Sequence, residues 1–320
     1  MIRHFLDVDD LSCEELDTVL SLAARPVSGL PPVLAGHGAA LVFQKPSART
    51  RSSTELAVVA LGGHPVYIQG AEVGIDVREP AEDVARTLAA FHRVVCARVL
   101  DHDVLVRMAG ALDAQPGPGR GRPAPVVNLL SDRAHPCQAV ADVLTLQQEF
   151  GDVAGRTLAY VGDANNVWRS LAQAAAMTGI RLRTASPEGY GPDGDDLARV
   201  ARLGGDLEVT ADPDEAVAGA DAVYTDVWTS MGDEDEADVR RKAFAGYSVD
   251  EELVGRAAPH AVVLHCLPAR RGEEISAAVL EGPHSVVWRQ AANRMHAMCG
   301  VLAWLLGPDV AGPGGGGPTP

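Results

Sequence analysis

The stretch AALVFQKPSARTRSSTELAVVAL, residues 39–61, sets an apolar run, a basic hydroxyl-rich turn and a helical pattern in that order. AALVFQ (39–44) reads as a buried strand, because it is apolar until its last residue. TELAVVAL (54–61) reads as a helix that stops at Gly62–Gly63. Between them Lys45, Ser47, Arg49, Thr50 and Arg51 crowd together in a chain of net charge −16. Such a cluster repels itself unless something negative occupies it. Free N–H groups at a helix start and the helix dipole favour an anion there, hydroxyls add donors, and guanidiniums clamp phosphate oxygens in pairs. The alternative is a capped helix with solvated arginines.

Outward from this stretch, β-rich runs alternate with helical patterns. HPVYIQ, VVCARV (94–99) and VVNLL (126–130) read as strands, and 79–92 and CQAVADVLTLQQEF (137–150) as helices. A second series opens at RTLAYVGD (156–163) and continues through RLRTAS, an acidic helix near 213–219, DAVYTDV (221–227) and AVVLHCL (261–267). A last helix covers 286–306. The pattern predicts an α/β fold of two domains, each a mostly parallel sheet flanked by helices. QPGPGRGRPAP (115–125) reads as a mobile loop, and the glycine-rich end (307–320) as a disordered tail.

At 320 residues, 47% hydrophobic and 22% charged, the chain has the composition of a soluble protein of two ordinary domains. No apolar run reaches the ~20 residues of a membrane span. MIRHFLDVDD lacks the apolar centre of a signal peptide, so a cytoplasmic setting is expected. The five cysteines are scattered without a C-x-x-C pair, which predicts reduced thiols. The acidic balance argues against nucleic acid, whose backbone needs a broad basic face, but leaves room for a small anion on a few local arginines.

Later motifs extend the chemistry. In DRAHPCQ (132–138) His135 sits between a strand and a helix, at the carboxyl edge where α/β folds place ligands, and Gln138 follows one turn later. A helix-capping His–Pro pair is the plainer reading. YVGDANNVWRS (160–170) has the strand–glycine–helix order of a dinucleotide site but only Gly162 of its glycines, so Asn165 and Asn166 read instead as donors to a carboxylate. Asp226 ends a strand in DVWTSMG (226–232) and suits an ammonium group. HCLPARRG (265–272) places Cys266 at another strand end. Metal ligation by His265 and Cys266 is disfavoured, because adjacent strand residues point to opposite faces.

The order S-x-R-T-R, H-P-x-Q, G-D-x-N-N, D-x-x-x-S-M-G, H-C-L-P and N-R-M-H resembles ornithine carbamoyltransferase, over all but the glycine-rich tail. S-x-R-T and H-P-x-Q are shared across the aspartate/ornithine carbamoyltransferase family, whereas S-M-G and H-C-L-P resemble its ornithine branch. The resemblance implies a carbamoyl phosphate-binding domain over 1–145, an ornithine-binding domain over 146–285, and a C-terminal helix (286–306) returning to the first. It implies Ser47, Ala48, Arg49, Thr50 and Arg51 as the phosphate segment. Arg98 and His135 then reach the phosphate and carbonyl oxygen, Gln138 binds the carbamoyl nitrogen, and Arg294 lies near the phosphate. Asn166 holds the ornithine carboxylate, Asp226, Ser230 and Met231 its α-amino end, and Cys266 with the Leu267 carbonyl its side-chain amine, Cys266 as proton acceptor. No metal or organic cofactor is implied, and the expected assembly is a homotrimer or a multiple of trimers acting in arginine metabolism.

Ala48 stands where many relatives carry threonine, but its backbone N–H remains. GAEVGIDVREP (70–80) departs from the family's loop, with Arg78 as its basic residue. The rival reading is a carbamoyltransferase for another amine. Aspartate would want basic residues where Asp226 stands, putrescine lacks the groups Asn166 and Asp226 would serve, and N-acylornithine leaves Asp226 without its ammonium. The readings from a different class are a nucleotide-cofactor enzyme, which the missing glycines oppose, and a non-catalytic small-molecule binding module, which the row of reacting groups opposes.

Overall fold

The structure is a computed structural model that describes residues 2–114, 124–229 and 236–307. The chain forms two compact units, one of residues 1–137 and 294–320, the other of 138–293. Both divisions fall inside long helices, Pro136–Phe150 and Val287–Leu306.

The first unit is built on a parallel sheet of four strands, β1 (Gly38–Phe43), β2 (His64–Gln69), β3 (His92–Arg98) and β4 (Val126–Leu130), in the order β2-β1-β3-β4. Residues 39–43 of β1 are buried, as an uninterrupted apolar run in a sheet covered on both faces requires. Val42, Val84, Val95, Leu105 and Met108 belong to the core that the helices Ala81–Phe91 and His102–Ala114 complete. Between β3 and β4 the register shifts, so that Ala97 faces Asn128 while Arg98 faces Leu130. The extra residue, Leu129, bulges β4 where it pairs with the end of β3 and bends β4 on its way to His135. Helix Val287–Leu306 enters this unit at Arg294. Its Gly300 lies against helix Cys13–Ala23, where an added Cβ would stand 2.6 Å from the Val19 carbonyl oxygen.

The second unit is a parallel sheet of five strands, β5 (Thr157–Val161), β6 (Arg181–Ala185), β7 (Asp206–Thr210), β8 (Ala222–Thr225) and β9 (Val262–His265), in the order β7-β6-β5-β8-β9. Its core includes Val161, Val223, Val249, Val263 and Leu280. Trp168, on helix Asn166–Thr178, is wholly buried and donates its indole N–H to Thr184 Oγ1 at 2.8 Å.

These are the two parallel sheets expected. Several elements differ from the sequence reading, which named no helix at Cys13–Ala23, His102–Ala114 or Gly194–Arg202. The helix expected from Thr54 begins at Ala48, because Ser47 caps it by accepting from the Thr50 N–H, so Ala48–Arg51 are its first turn. Strand β7 went unread because its side chains are largely exposed and its sequence, DLEVT, lacks an apolar run. Most of the 115–125 stretch, Ser230, Met231 and residues 308–320 lie outside the described residues. Among the described residues no helix is long and apolar enough to cross a membrane.

Candidate active site

In each unit the chain reverses strand order beside the first strand of its sheet, between β1 and β3 and between β5 and β8. Open parallel sheets bind ligands at the carboxyl ends of strands at such a reversal. Arg98 ends β3 opposite Phe43, the last residue of β1. Ser47 and Thr50 follow β1, and His135 follows β4.

Thr50, Arg98, His135 and Arg294 are buried. Arg294 Nη1 approaches His135 Nε2 at 3.4 Å, and Nη2 approaches Thr50 Oγ1 at 3.4 Å. Ser47 Oγ lies 3.2 Å from Thr50 Oγ1. Burial lowers the Arg98 pKa to about 10, with the Arg294 and Arg49 charges pushing the same way, so the guanidinium is still charged at neutral pH. Arg98 Nε is buried without a hydrogen-bond partner among the described residues. Burial holds the His135 pKa well below its usual range, and Arg294, Arg98 and Arg49 add to the effect. A neutral imidazole ringed by guanidiniums is an environment that an anion would relieve.

Arg49 is exposed but makes itself felt by charge on Arg98 and His135. Arg51 takes another course. Its Nε donates to Glu55 at 2.8 Å and its guanidinium lies 3.8 Å from the centre of the Tyr67 ring. Arg78 folds back to donate to the Glu72 carbonyl. Ala48 is exposed on the first helical turn.

In the second unit Asp226, just past β8, accepts from Cys266 Sγ at 3.0 Å, Asn165 Nδ2 at 3.0 Å and the Val227 N–H at 2.8 Å. Asn165 was read as a donor to a carboxylate. The carboxylate it meets is the protein's own Asp226, and its carbonyl oxygen caps helix Asn166–Thr178 by accepting from Val167 and Trp168. Asn166 is the first residue of that helix and half-buried. Leu267 adopts a left-handed backbone with φ 61°, and its N–H donates to His265 Nδ1 at 2.9 Å. That bond leaves the ring proton on Nε2, which donates to the buried Glu274 at 2.9 Å.

The expectation that His265 and Cys266 diverge needs correction. The ligating atoms of Asp226, His265 and Cys266 lie within 4.8 Å of one another. Strand β9 ends at His265, so alternation no longer governs Cys266. Both nitrogens of His265 are nevertheless committed, to Leu267 and to Glu274, so a metal would have to displace one of them.

Gln138, one turn after His135, donates from Nε2 to Asp142 Oδ1 at 2.7 Å. Asp142 and its other partners, Gln290 and Tyr224, went unread in the sequence. The available signal was a carboxylate four residues after Gln138, on the same face of the mostly apolar first half of the helix.

The class these features define is an α/β protein of two parallel sheets, the first unit carrying two buried guanidiniums about a neutral imidazole and the second a cluster of carboxamide, carboxylate and thiol. The chain belongs to the aspartate/ornithine carbamoyltransferase family: the family's carbamoyl-P binding domain model matches residues 3–148 and its Asp/Orn binding domain model residues 154–305. An ornithine carbamoyltransferase of Acidothermus cellulolyticus is 47% identical over 319 residues, with 98% of each chain covered. The crystal structure of ornithine carbamoyltransferase from Thermus thermophilus is 42% identical, with a TM-score of 0.84 over 96% of this chain and 99% of that one. The ornithine carbamoyltransferase from Pyrococcus furiosus is 40% identical, with a TM-score of 0.88 over 96% and 97%.

Proposed function

We infer that the chain transfers the carbamoyl group of carbamoyl phosphate to the side-chain amine of L-ornithine, giving L-citrulline and phosphate. The observation that carries this reading is the buried group of Arg98, Arg294 and His135, with Arg49 acting on it by charge. Buried cations of one sign call for a multiply charged anion, and family membership supplies carbamoyl phosphate as the natural candidate.

On this reading Ser47, the Ala48 N–H, Arg49, Thr50 and Arg51 hold the phosphate. Arg51 would have to leave Glu55 and Tyr67 to take part. Thr50, Arg98 and His135 donate to the carbamoyl oxygen and stabilise the charge that grows on it when the carbonyl carbon becomes tetrahedral. Gln138 binds the carbamoyl nitrogen. Asn166 takes the ornithine carboxylate, while Asp226, Ser230 and Met231 take its α-ammonium. Cys266 and the Leu267 carbonyl meet the side-chain amine, which with a pKa of ~10.4 is mostly protonated at neutral pH, a deficit of roughly 4 kcal/mol. Once a proton is lost toward Cys266, the nitrogen lone pair attacks the carbamoyl carbon. The C–O bond to phosphate then breaks as the attacking nitrogen gives up its remaining extra proton to the departing phosphate oxygen, so that hydrogen phosphate leaves as a dianion stabilised by Arg98 and Arg294. Carbamoyl phosphate is already an activated anhydride, so the reaction requires neither metal nor organic cofactor.

The same reading assigns residues 1–145 and 286–306 to the carbamoyl phosphate side and 146–285 to the ornithine side. It makes the protein a cytoplasmic homotrimer, or a multiple of trimers, in arginine biosynthesis. Its test is a panel of amines with carbamoyl phosphate as donor: ornithine, N-acetylornithine, putrescine and aspartate, ranked by kcat/KM. Ornithine is expected to lead. A higher value for any other amine, or no product from ornithine, overturns the reading.

A further inference from the structure

The unread carboxylate Asp142 has a place in this chemistry. It is wholly buried, as are Gln290 and Tyr224, and Gln138 is 1% exposed. Donor and acceptor roles around it follow from one backbone group. The His265 N–H can only donate, and it meets Gln290 Oε1 at 2.9 Å. Gln290 is thereby oriented with its nitrogen toward Asp142 Oδ1, at 2.7 Å. That makes Oδ1 an acceptor, and Gln138 Nε2 meets the same oxygen at 2.7 Å. The Tyr224 hydroxyl closes the set on Oδ2 at 3.2 Å. Gln138 therefore turns its carbonyl oxygen away from Asp142, and the orientation of its amide is set by Asp142 and the backbone of β9 rather than by chance.

We propose that Asp142 is a positioning residue that locks Gln138 as a hydrogen-bond acceptor, so that the donor site prefers an acyl phosphate bearing an N–H group. This rests on the assignment of Gln138 to the carbamoyl nitrogen. Carbamoyl phosphate offers an NH2 to the Gln138 oxygen, whereas acetyl phosphate offers only a methyl group. A fixed acceptor gains a hydrogen bond from a donor substrate that carries an N–H and gains none from one that presents a methyl group.

The test compares carbamoyl phosphate, acetyl phosphate as a competitive inhibitor, and inorganic phosphate as a ligand, in wild type, Asp142→Ala, Gln138→Ala and the double variant. Asp142→Ala is expected to lower kcat/KM for carbamoyl phosphate about tenfold or more, to leave the affinity for acetyl phosphate and inorganic phosphate within about twofold, and to add nothing once Gln138 is alanine. Asp142→Asn, whose carboxamide can turn either atom toward Gln138, is expected to lose less than Asp142→Ala and to show the same non-additivity. It carries the test if the alanine variant does not fold. Equal losses for all three phosphates, or additive losses in the double variant, overturn the proposal and leave the functional reading standing. No effect of Gln138→Ala on carbamoyl phosphate overturns both the proposal and the role of Gln138, while citrulline formation itself is judged separately by the amine panel.

Discussion

Arg294 Nη1 stands 3.4 Å from His135 Nε2, although 159 positions separate them in the chain. A guanidinium has no lone pair to offer, so the ring nitrogen facing it is the acceptor and the imidazole is neutral, with its proton on Nδ1. Burial, and after it the charges of Arg294, Arg98 and Arg49, hold the ring in that form.

The first prediction concerns acid stability. The folded chain binds a proton at His135 less readily than the unfolded chain, whose imidazole keeps its ordinary pKa of 6.5. The stability tied to the neutral ring is therefore present above about pH 6.5 and lost as pH falls, at up to about 1.4 kcal/mol per pH unit. Chemical denaturation at pH 7.5 and pH 5.5 should show a smaller loss for His135→Gln than for wild type. An equal loss in both would remove His135 from the account.

The second concerns Arg98. Replacing a buried guanidinium that two others repel should stabilise the unliganded protein while ending its use of phosphate. Arg98→Met is expected to gain roughly 1–3 kcal/mol in unfolding free energy and to lose nearly all turnover. Inorganic phosphate should raise the Tm of wild type and leave that of the variant unmoved. A variant that is both active and phosphate-responsive contradicts the assignment.

The third separates two groups that touch. Asp226→Asn should raise KM for ornithine about 10- to 100-fold, because a charge-assisted bond to the α-ammonium is lost. Cys266→Ala should act chiefly on kcat, by about 100-fold or more if the thiol takes the proton. Steady-state kinetics with ornithine varied at saturating carbamoyl phosphate read both, and wild-type values in either variant refute its role.

The fourth is structural. The backbone contact at Gly300 leaves no room for a Cβ beside the Val19 carbonyl. Gly300→Ala should cost about 1–3 kcal/mol by overpacking, against the few tenths an exposed helical glycine would gain from alanine. A Tm equal to or above wild type would place the two helices further apart than described.

Much of the fold was legible because its cores are apolar runs of unequal period. VVNLL occupies β4 and HPVYIQ occupies β2 to the residue. β7 was hidden, since an exposed edge strand carries little of the burial that writes a pattern. Of the candidate site, His135 and Cys266 stood out as reactive side chains at strand ends, whereas Arg98 was read inside a strand and entered the site through the resemblance alone. Asp142 and Glu274 did not. Their work is done through another residue, and a sequence records the identity of a carboxylate without recording which amide or imidazole it touches. Asn165 shows the converse: the residue was picked out, yet its partner is an internal carboxylate and a helix end.

The bulge at Leu129 has a further consequence. The segment that follows β4 and leads to His135 leaves the sheet at a point set by how many residues the strand holds, not by which aliphatic residue stands at 129. Exchanging Leu129 for another aliphatic side chain keeps that count, whereas deleting it would draw Leu130 and the segment leading to His135 back along the ladder by one residue.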